Sequence, residues 1–250
     1  MITARPEEVE RFIQALSAAN ALPSDGIGRL NEGSLHRTLK LYFEPDTSRH
    51  EIKIGRYVAD IVNGDGIIEI QTRAFQNMRS KLEDFLSIGR VTIVFPIAVK
   101  KDVVWLDPET GELSKPNKSP KKETVFDVFP ELYKLKEYLC DPRLTVKIMF
   151  MSMTDMRMLC GWDKTRKRGS HREDRIPREI FGSLPLASLY DYESLLPETL
   201  PDEFSAKEFS AHARIKQKVS GYVLRLLREI GVIKIKGTKG KAYIYEKNRL

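Results

Sequence analysis

Asp60 and the triplet Glu69-Ile70-Gln71 are the residues whose types and spacing suggest chemistry. Asp60 ends the apolar alternation of Tyr57-Val58-Ala59-Asp60, and Glu69 and Gln71 interrupt the run Ile67-Ile68-Glu69-Ile70-Gln71. Side chains alternate faces along a strand, so Glu69 and Gln71 are expected on one face, Ile68 and Ile70 on the other. The turn Asn63-Gly64-Asp65-Gly66 joins the two segments and can set Asp60 beside Glu69. Two carboxylates and an amide in one place suit Mg2+ (or Mn2+), which takes one or two carboxylates with water and phosphate oxygens. Such a metal activates water and neutralises charge on a phosphate under attack. The competing reading, polar side chains on a half-exposed sheet, fits poorly with neighbouring strands this apolar.

The elements that must position these residues are legible around them. Pro6 to Ala19 reads as an amphipathic helix with Val9, Phe12, Ile13 and Leu16 at helical spacing. A second helix is expected over about Glu32 to Phe43, stopped by Pro45 and Asp46. Three strands follow, Glu51–Ile54, Tyr57–Val62 and Ile67–Thr72, then a helix over about Phe75–Leu86 and the buried strand Val91–Val99. Lys100-Lys101-Asp102 reads as a turn to a short strand, Val103–Leu106, and residues 107–123 as an exposed loop. Val125–Leu139 is expected to be helical, with Phe126, Phe129, Leu132, Leu135 and Leu139 on one face, and Leu144–Met151 to be a strand. Residues 163–178, with seven Lys and Arg against three acids, read as a loop.

The order helix, three-stranded meander, helix, strand, carrying these acids, resembles the PD-(D/E)xK nuclease superfamily over residues 32–99. The resemblance implies an α/β (α+β) fold, a restriction-endonuclease-like mixed sheet flanked by helices. It implies Asp60 and Glu69 as catalytic metal ligands, with the Ile70 backbone carbonyl as a further ligand. Glu32 matches an additional acid that many members carry on the preceding helix. Gln71 stands where the family usually has a lysine, and a neutral amide cannot supply that charge. Lys53 on the neighbouring strand or Lys81 on the following helix could reach the site in its place, and His36, one turn after Glu32, could touch it.

A second unit is expected at 205–250, after a linker at 185–204 marked by its prolines. Ser205 and Glu208 form a capping-box pattern that opens a short helix. A longer helix, about Lys216–Ile230, carries an apolar stripe of Val219, Tyr222, Val223, Leu226 and Leu227 and ends at Gly231. Two short strands, Val232–Ile235 and Ala242–Tyr245, flank a basic glycine-containing hairpin. Helix, helix and basic hairpin resemble a winged helix-turn-helix module. The resemblance implies Lys216, Gln217, Lys218 and Ser220 at the start of a helix that enters the major groove, with Lys236, Lys239 and Lys241 as phosphate contacts of the wing.

Charge distribution agrees with that reading. The chain of 250 residues carries +7 overall; Ser205–Leu250 holds twelve Lys and Arg against three acids, a local +9 that leaves −2 elsewhere. So lopsided a segment suits a polyanion. Arg166, Lys167 and Arg168, beside Trp162, form a further basic run, either a backbone clamp with Trp162 stacking on a base or a solvated loop over a packed Trp162.

Two cysteines far apart, Cys140 and Cys160, argue against a disulfide framework or zinc site and fit a cytoplasmic setting. Met1–Glu10 lacks a signal-peptide pattern, and no apolar run is long enough to span a membrane. Neither a P-loop nor a glycine fingerprint after a strand frames nucleotide chemistry. Two functions fit: a metal-dependent DNA endonuclease, dimeric if it cuts both strands, or a non-catalytic DNA-binding regulator that retains a degenerate nuclease fold.

Overall fold

The Asn63–Gly66 turn joins the second and third strands of the larger sheet, and Gly66 is required there. Its φ is +118°, and an added Cβ would lie 2.5 Å from the Arg90 carbonyl oxygen. The computed structural model describes residues 3–21, 33–162 and 168–248. Around the turn, β1 (His50–Ile54), β2 (Tyr57–Asn63) and β3 (Gly66–Ile70) form an antiparallel meander. A crossover through α3 (Arg79–Ile88) brings β4 (Val91–Leu106) parallel to β3. A second crossover, through 3-10 turns and the short α4 (Phe129–Leu132), brings β6 (Leu144–Trp162) parallel to β4. β7 (Arg168–Leu186) returns antiparallel to β6, and β5 (Asn117–Lys118) pairs with β4. The result is a seven-stranded mixed sheet ordered β1-β2-β3-β4-β6-β7, with β5 off that path.

Both faces of this sheet are covered, as expected where parallel strands are nearly continuously apolar. On one face α1 (Pro6–Ala21) and α2 (Ser34–Phe43) bury Phe12, Leu39 and Tyr42 against Ile61, Ile68, Val94 and Met151. Val9 and Ile13, expected to face inward, are 37% and 60% exposed; Ala15 and Ala19 take their place beside Phe12. Small side chains let α1 lie close to its neighbours. The other face packs against α3 and residues 125–139, where all five apolar positions anticipated from spacing are buried. That segment is not one helix: Pro130 opens the single α turn, with 3-10 turns on either side.

The C-terminal residues form a smaller unit. β8 (Glu203–Ser205), α6 (Ala206–His212), α7 (Gln217–Glu229), β9 (Ile233–Lys239) and β10 (Ala242–Lys247) make two helices on a three-stranded sheet ordered β8-β10-β9. The Ser205–Glu208 capping box is present, and Gly231 follows α7 with φ +84°. On α7, Leu224 is buried while Tyr222, expected on the stripe, is 40% exposed.

Three expectations about connections need correcting. No turn occurs at Lys100–Asp102: β4 runs on to Leu106 because β6 supplies partners as far as Met158. Residues 168–178 are strand rather than loop, since β6 supplies an antiparallel partner along them, and Arg175 there meets buried Asp155 and half-buried Glu123. The 185–204 segment is not a tether. It finishes β7, forms α5 (Leu189–Glu193) and buries Tyr192, Leu196 and Leu200 in the core that holds Phe204, Phe209 and α7. Pro185 lies within β7, and Pro197 opens a turn, its carbonyl accepting Leu200 N–H at 3.0 Å. No described helix is long and apolar enough to cross a membrane.

Candidate functional site

Asp60 and Glu69 meet where β2 and β3 stop pairing through backbone. The ladder closes at Ile61↔Ile68, and the next residue on each strand is one of these acids. Each carboxylate then takes an amide of the opposite strand. Ile70 N–H donates to Asp60 Oδ2 at 2.7 Å, and Asp60 N–H donates to Glu69 Oε1 at 3.1 Å. The two acids therefore replace ladder rungs that the strands no longer make, and the sheet itself fixes their positions. α3 contributes Lys81, whose Nζ donates to Glu69 Oε2 at 2.6 Å; α2 contributes His36, whose Nε2 lies 3.1 Å from Asp60 Oδ2. The cluster thus draws one charged or titratable group from each of four elements.

Burial and like charge set the protonation of the pair. Burial pushes the Asp60 carboxyl up, but His36, the Ile70 amide and Lys81 outweigh it and hold the group below its ordinary value. Glu69, only 1% exposed, is pushed up to about 7, first by burial and then by the Asp60 charge, with Lys81 pulling the other way. A carboxyl raised from 4.5 to about 7 binds its proton more tightly in the folded protein than in the unfolded chain. The stabilisation is therefore full below pH 4.5 and is lost as pH rises to about 7. Its size is on the order of 3 kcal/mol. In urea denaturation of metal-free protein, Glu69→Gln is expected to gain that much relative to wild type between those limits. Parallel stability curves would contradict the assignment.

The donor set limits what could bind. Among the described residues no group of three or more His, Cys, Asp and Glu side chains is arranged to hold a metal ion. A zinc site, with three or four such ligands, is a poor match. Two carboxylates with a backbone carbonyl and water are what Mg2+ or Mn2+ accepts, and a buried acid pair that resists double ionisation is what a dication relieves.

The structure brings together Asp60, Glu69, His36 and Lys81. Gln71 lies just past the end of β3, half-buried, its N–H donating to Val94 O at 2.9 Å. Lys53 is exposed on β1, opposite Val58. Glu32, Arg166 and Lys167 lie outside the described residues; Arg168 begins β7, its backbone paired with Trp162.

In the C-terminal unit, Lys216, Gln217 and Lys218 are exposed at the start of α7. Ser220 is fully buried and its hydroxyl donates to Gln217 O at 2.7 Å, so it is a structural residue and not a surface contact. It shares the inner face of α7 with Val223, Leu224 and Leu227, three, four and seven residues on, all of them buried. Lys236 is held by Glu203 at 2.7 Å and Glu246 at 3.4 Å. Lys239 and Lys241 are exposed beside Gly240 and line, with Gln217 and Lys207, a cleft of about 700 Å³ between the helices and the hairpin.

One group escaped sequence reasoning. Asp155 on β6 is fully buried among Lys101, Arg157, Arg172 and Arg175, with Glu123 close to two of these. A lone acid in the apolar stretch Leu144–Met158 was the available signal.

Comparison with known proteins gives a family and no activity. The family described as "Domain of unknown function (DUF8091)" matches residues 33–187, which spans α2 and all seven strands of the larger sheet. An "Uncharacterized protein" of Treponema pallidum (strain Nichols) is 26% identical over 227 residues, covering 88% of this chain and 87% of that protein. No solved structure matches the chain.

Proposed function

The chain belongs to the DUF8091 family, and we propose that its matched domain is a Mg2+- or Mn2+-dependent phosphodiesterase that hydrolyses the DNA backbone. One observation carries the reading. Asp60 and Glu69 are locked together by each other's strand amides, with an ammonium, Lys81, on the second of them. Asp60 and Glu69 would hold the cation, with the Ile70 carbonyl as a further ligand. When bound, the cation supplies charge neutralisation at the phosphate and lowers the pKa of an attacking water.

The chain's own residues have separable tasks. His36 and the Ile70 amide fix one oxygen of Asp60 and so set the direction of the other. Lys81 supplies the positive charge that Gln71 lacks, reaching the same carboxylate from α3 rather than from β3. Gln71 and Glu32 remain candidates for water or phosphate contacts. This is the nuclease arrangement with its lysine moved to a helix.

The smaller unit is proposed to be a winged-helix module that brings the sheet to DNA. The order helix, helix, hairpin, with β8 closing a three-stranded sheet, supports that reading. In it Lys216, Gln217 and Lys218 face the groove, and Lys239 and Lys241 meet phosphates. Lys239→Gln/Lys241→Gln is expected to weaken DNA binding about uniformly across sequences and to make the salt slope shallower by about 2. Lys236→Gln, whose charge is already matched by Glu203 and Glu246, should change affinity by less than about twofold. Equal effects in titrations at several salt concentrations would reject this division. The Arg166–Arg168 run adds basic charge to the same picture. A cytoplasmic enzyme of this kind cuts both strands as a homodimer or by successive nicks.

A second reading, a non-catalytic DNA-binding regulator, draws on the same contacts. Lys81 already neutralises part of the pair and His36 is hydrogen-bonded to it, as in a site that has closed on itself. Supercoiled plasmid separates the two readings. Nicking that needs Mg2+ or Mn2+ and stops with EDTA is expected. Absence of nicking, with salt-sensitive DNA binding intact, selects the regulator.

A further inference from the structure

One residue beyond Gln71 the larger sheet opens. In the parallel register, Gln71 N–H reaches Val94 O, so the next donor facing the Gln71 carbonyl belongs to Pro96, which has none. The β3–β4 ladder stops there, and a cavity of about 480 Å³ lies at the gap, lined by Thr72, Arg73, Phe95, Pro96, Lys121, Glu123, Asp127, Arg172 and Arg175. That volume falls in the range of small-ligand sites.

Its charge is unbalanced in one direction. Four cations line it against two carboxylates, one of them turned to Thr124 and the other shared between Arg175 of the lining and Lys101 behind it. Asp127 Oδ2 accepts the N–H and hydroxyl of Thr124, and Glu123 Oε2 accepts Ala98 N–H at 2.8 Å while its other oxygen lies 3.7 Å from both Lys101 and Arg175. Behind the cavity a single buried acid faces four cations. Asp155 Oδ1 accepts from Arg175 Nε at 3.1 Å, while Oδ2 lies 3.5 Å from Arg172 and 3.9 Å from Lys101 and Arg157. Asp155 Oδ2 and Arg157 Nε are buried without a hydrogen-bond partner. Asp155, with Glu123 reaching only Lys101 and Arg175, leaves three guanidinium groups, each with five donors, and an ammonium short of acceptors and of negative charge. Burial and then the Arg175 charge push Arg172 below its ordinary value, as expected where positive charge is in excess.

We propose that this cavity is a phosphate-binding site, in which Arg73, Lys121, Arg172 and Arg175 hold a phosphate group of the nucleic-acid strand other than the one attacked. Guanidinium groups bind phosphate through paired N–H donors, and Thr72 adds a hydroxyl. The position rests on the nuclease reading of Asp60 and Glu69. Four residues separate Glu69 from Arg73, a reach of at most about 14 Å. Adjacent nucleotides on one strand rise about 3.4 Å, so the held phosphate lies within a few nucleotides of the acids. The binding itself needs no metal.

The test uses the full chain in EDTA, so that metal chemistry plays no part. Wild type is titrated with inorganic phosphate and with labelled single strands that end in 5′-phosphate or 5′-hydroxyl, at several salt concentrations. Saturable phosphate binding is expected. Arg73→Gln/Lys121→Gln, at two exposed positions chosen to spare the fold, should abolish it, weaken strand binding about tenfold and make the salt slope shallower by about 1.4. Arg172→Gln, 41% exposed, should weaken both ligands as well. A 5′-phosphate preference that the variants lose identifies a terminal phosphate; equal losses for both strands identify an internal one. Failure of wild type to bind phosphate, or unchanged binding by the variants, overturns the proposal. Asp60→Asn should bind phosphate like wild type whether or not wild type cleaves DNA, which keeps this result separate from the nuclease reading.

Discussion

Asp60→Asn is expected to lower metal-dependent plasmid nicking by at least about 10³-fold while leaving DNA affinity within about twofold of wild type. The substitution keeps size and keeps an acceptor for the Ile70 amide, so the β2–β3 junction should survive. What it removes is the charge that would hold the cation, worth several kcal/mol of transition-state stabilisation at about 1.4 kcal/mol per decade of rate. Lys81→Met tests the helix-borne lysine separately. It keeps the length of the side chain but leaves Glu69 without its cation, and a loss of about 10- to 100-fold is expected. Without Lys81, the Glu69 carboxyl moves further above 7, so the pH–rate profile of this variant should shift to higher pH. Equal rates for wild type and Lys81→Met would remove Lys81 from the site and return the question to Gln71.

Phe209→Ala is expected to destabilise the whole chain by about 3–5 kcal/mol, although Phe209 belongs to the small C-terminal unit. Its ring is fully buried, 6.0 Å from Phe126 and 6.2 Å from Phe204. Phe126 belongs to the segment between β4 and β6, so the contact joins the two units through one continuous core. Lys136–Glu229, at 2.9 Å, crosses the same boundary. Both tryptophans, Trp105 and Trp162, are on strands of the larger sheet, so tryptophan fluorescence reports that sheet alone. The expected result is a tryptophan transition in urea that moves with the far-UV circular dichroism transition. A tryptophan midpoint unmoved by Phe209→Ala would mean that the units unfold independently. The coupling bears on the proposed function, because DNA held by α7 and the hairpin would then be presented to the sheet at a set angle.

The order of elements up to β4 was legible because its signals are local. Alternating apolar residues and the Asn63–Gly66 turn each depend on neighbours within a few residues; beyond β4 the spacing of Phe126, Phe129, Leu132, Leu135 and Leu139 gave the buried positions but not the broken helix. The pairing of Asp60 with Glu69 belongs to the same class, since a four-residue turn between two strands leaves few registers open. The capping box at Ser205 and the glycine after α7 were readable for the same reason.

Where reading failed, the deciding contact came from far along the chain. The Lys100–Asp102 segment has turn composition, but β6 supplies its ladder from about fifty residues away, and the strand continues. The basic stretch after 168 looked solvated until Asp155 and Glu123 were placed against it. The prolines of 185–204 suggested a tether, yet Tyr192, Leu196 and Leu200 found a core to enter. Ser220 is the local exception: it shares the i, i+3, i+4, i+7 face of Val223, Leu224 and Leu227, and that phase turns it inward.

By itself, then, the amino-acid sequence determined that Asp60 and Glu69 lie side by side, which segments repeat with strand or helix period, and where the positive charge concentrates. Tertiary structure alone decided that Lys81, and not Lys53, reaches Glu69, that Asp155 gathers four cations behind a cavity, and that two units share a core. The physical reason is that hydrophobic period and turn chemistry act over a few residues, whereas the partner of a buried charge is chosen by which surfaces come together on folding.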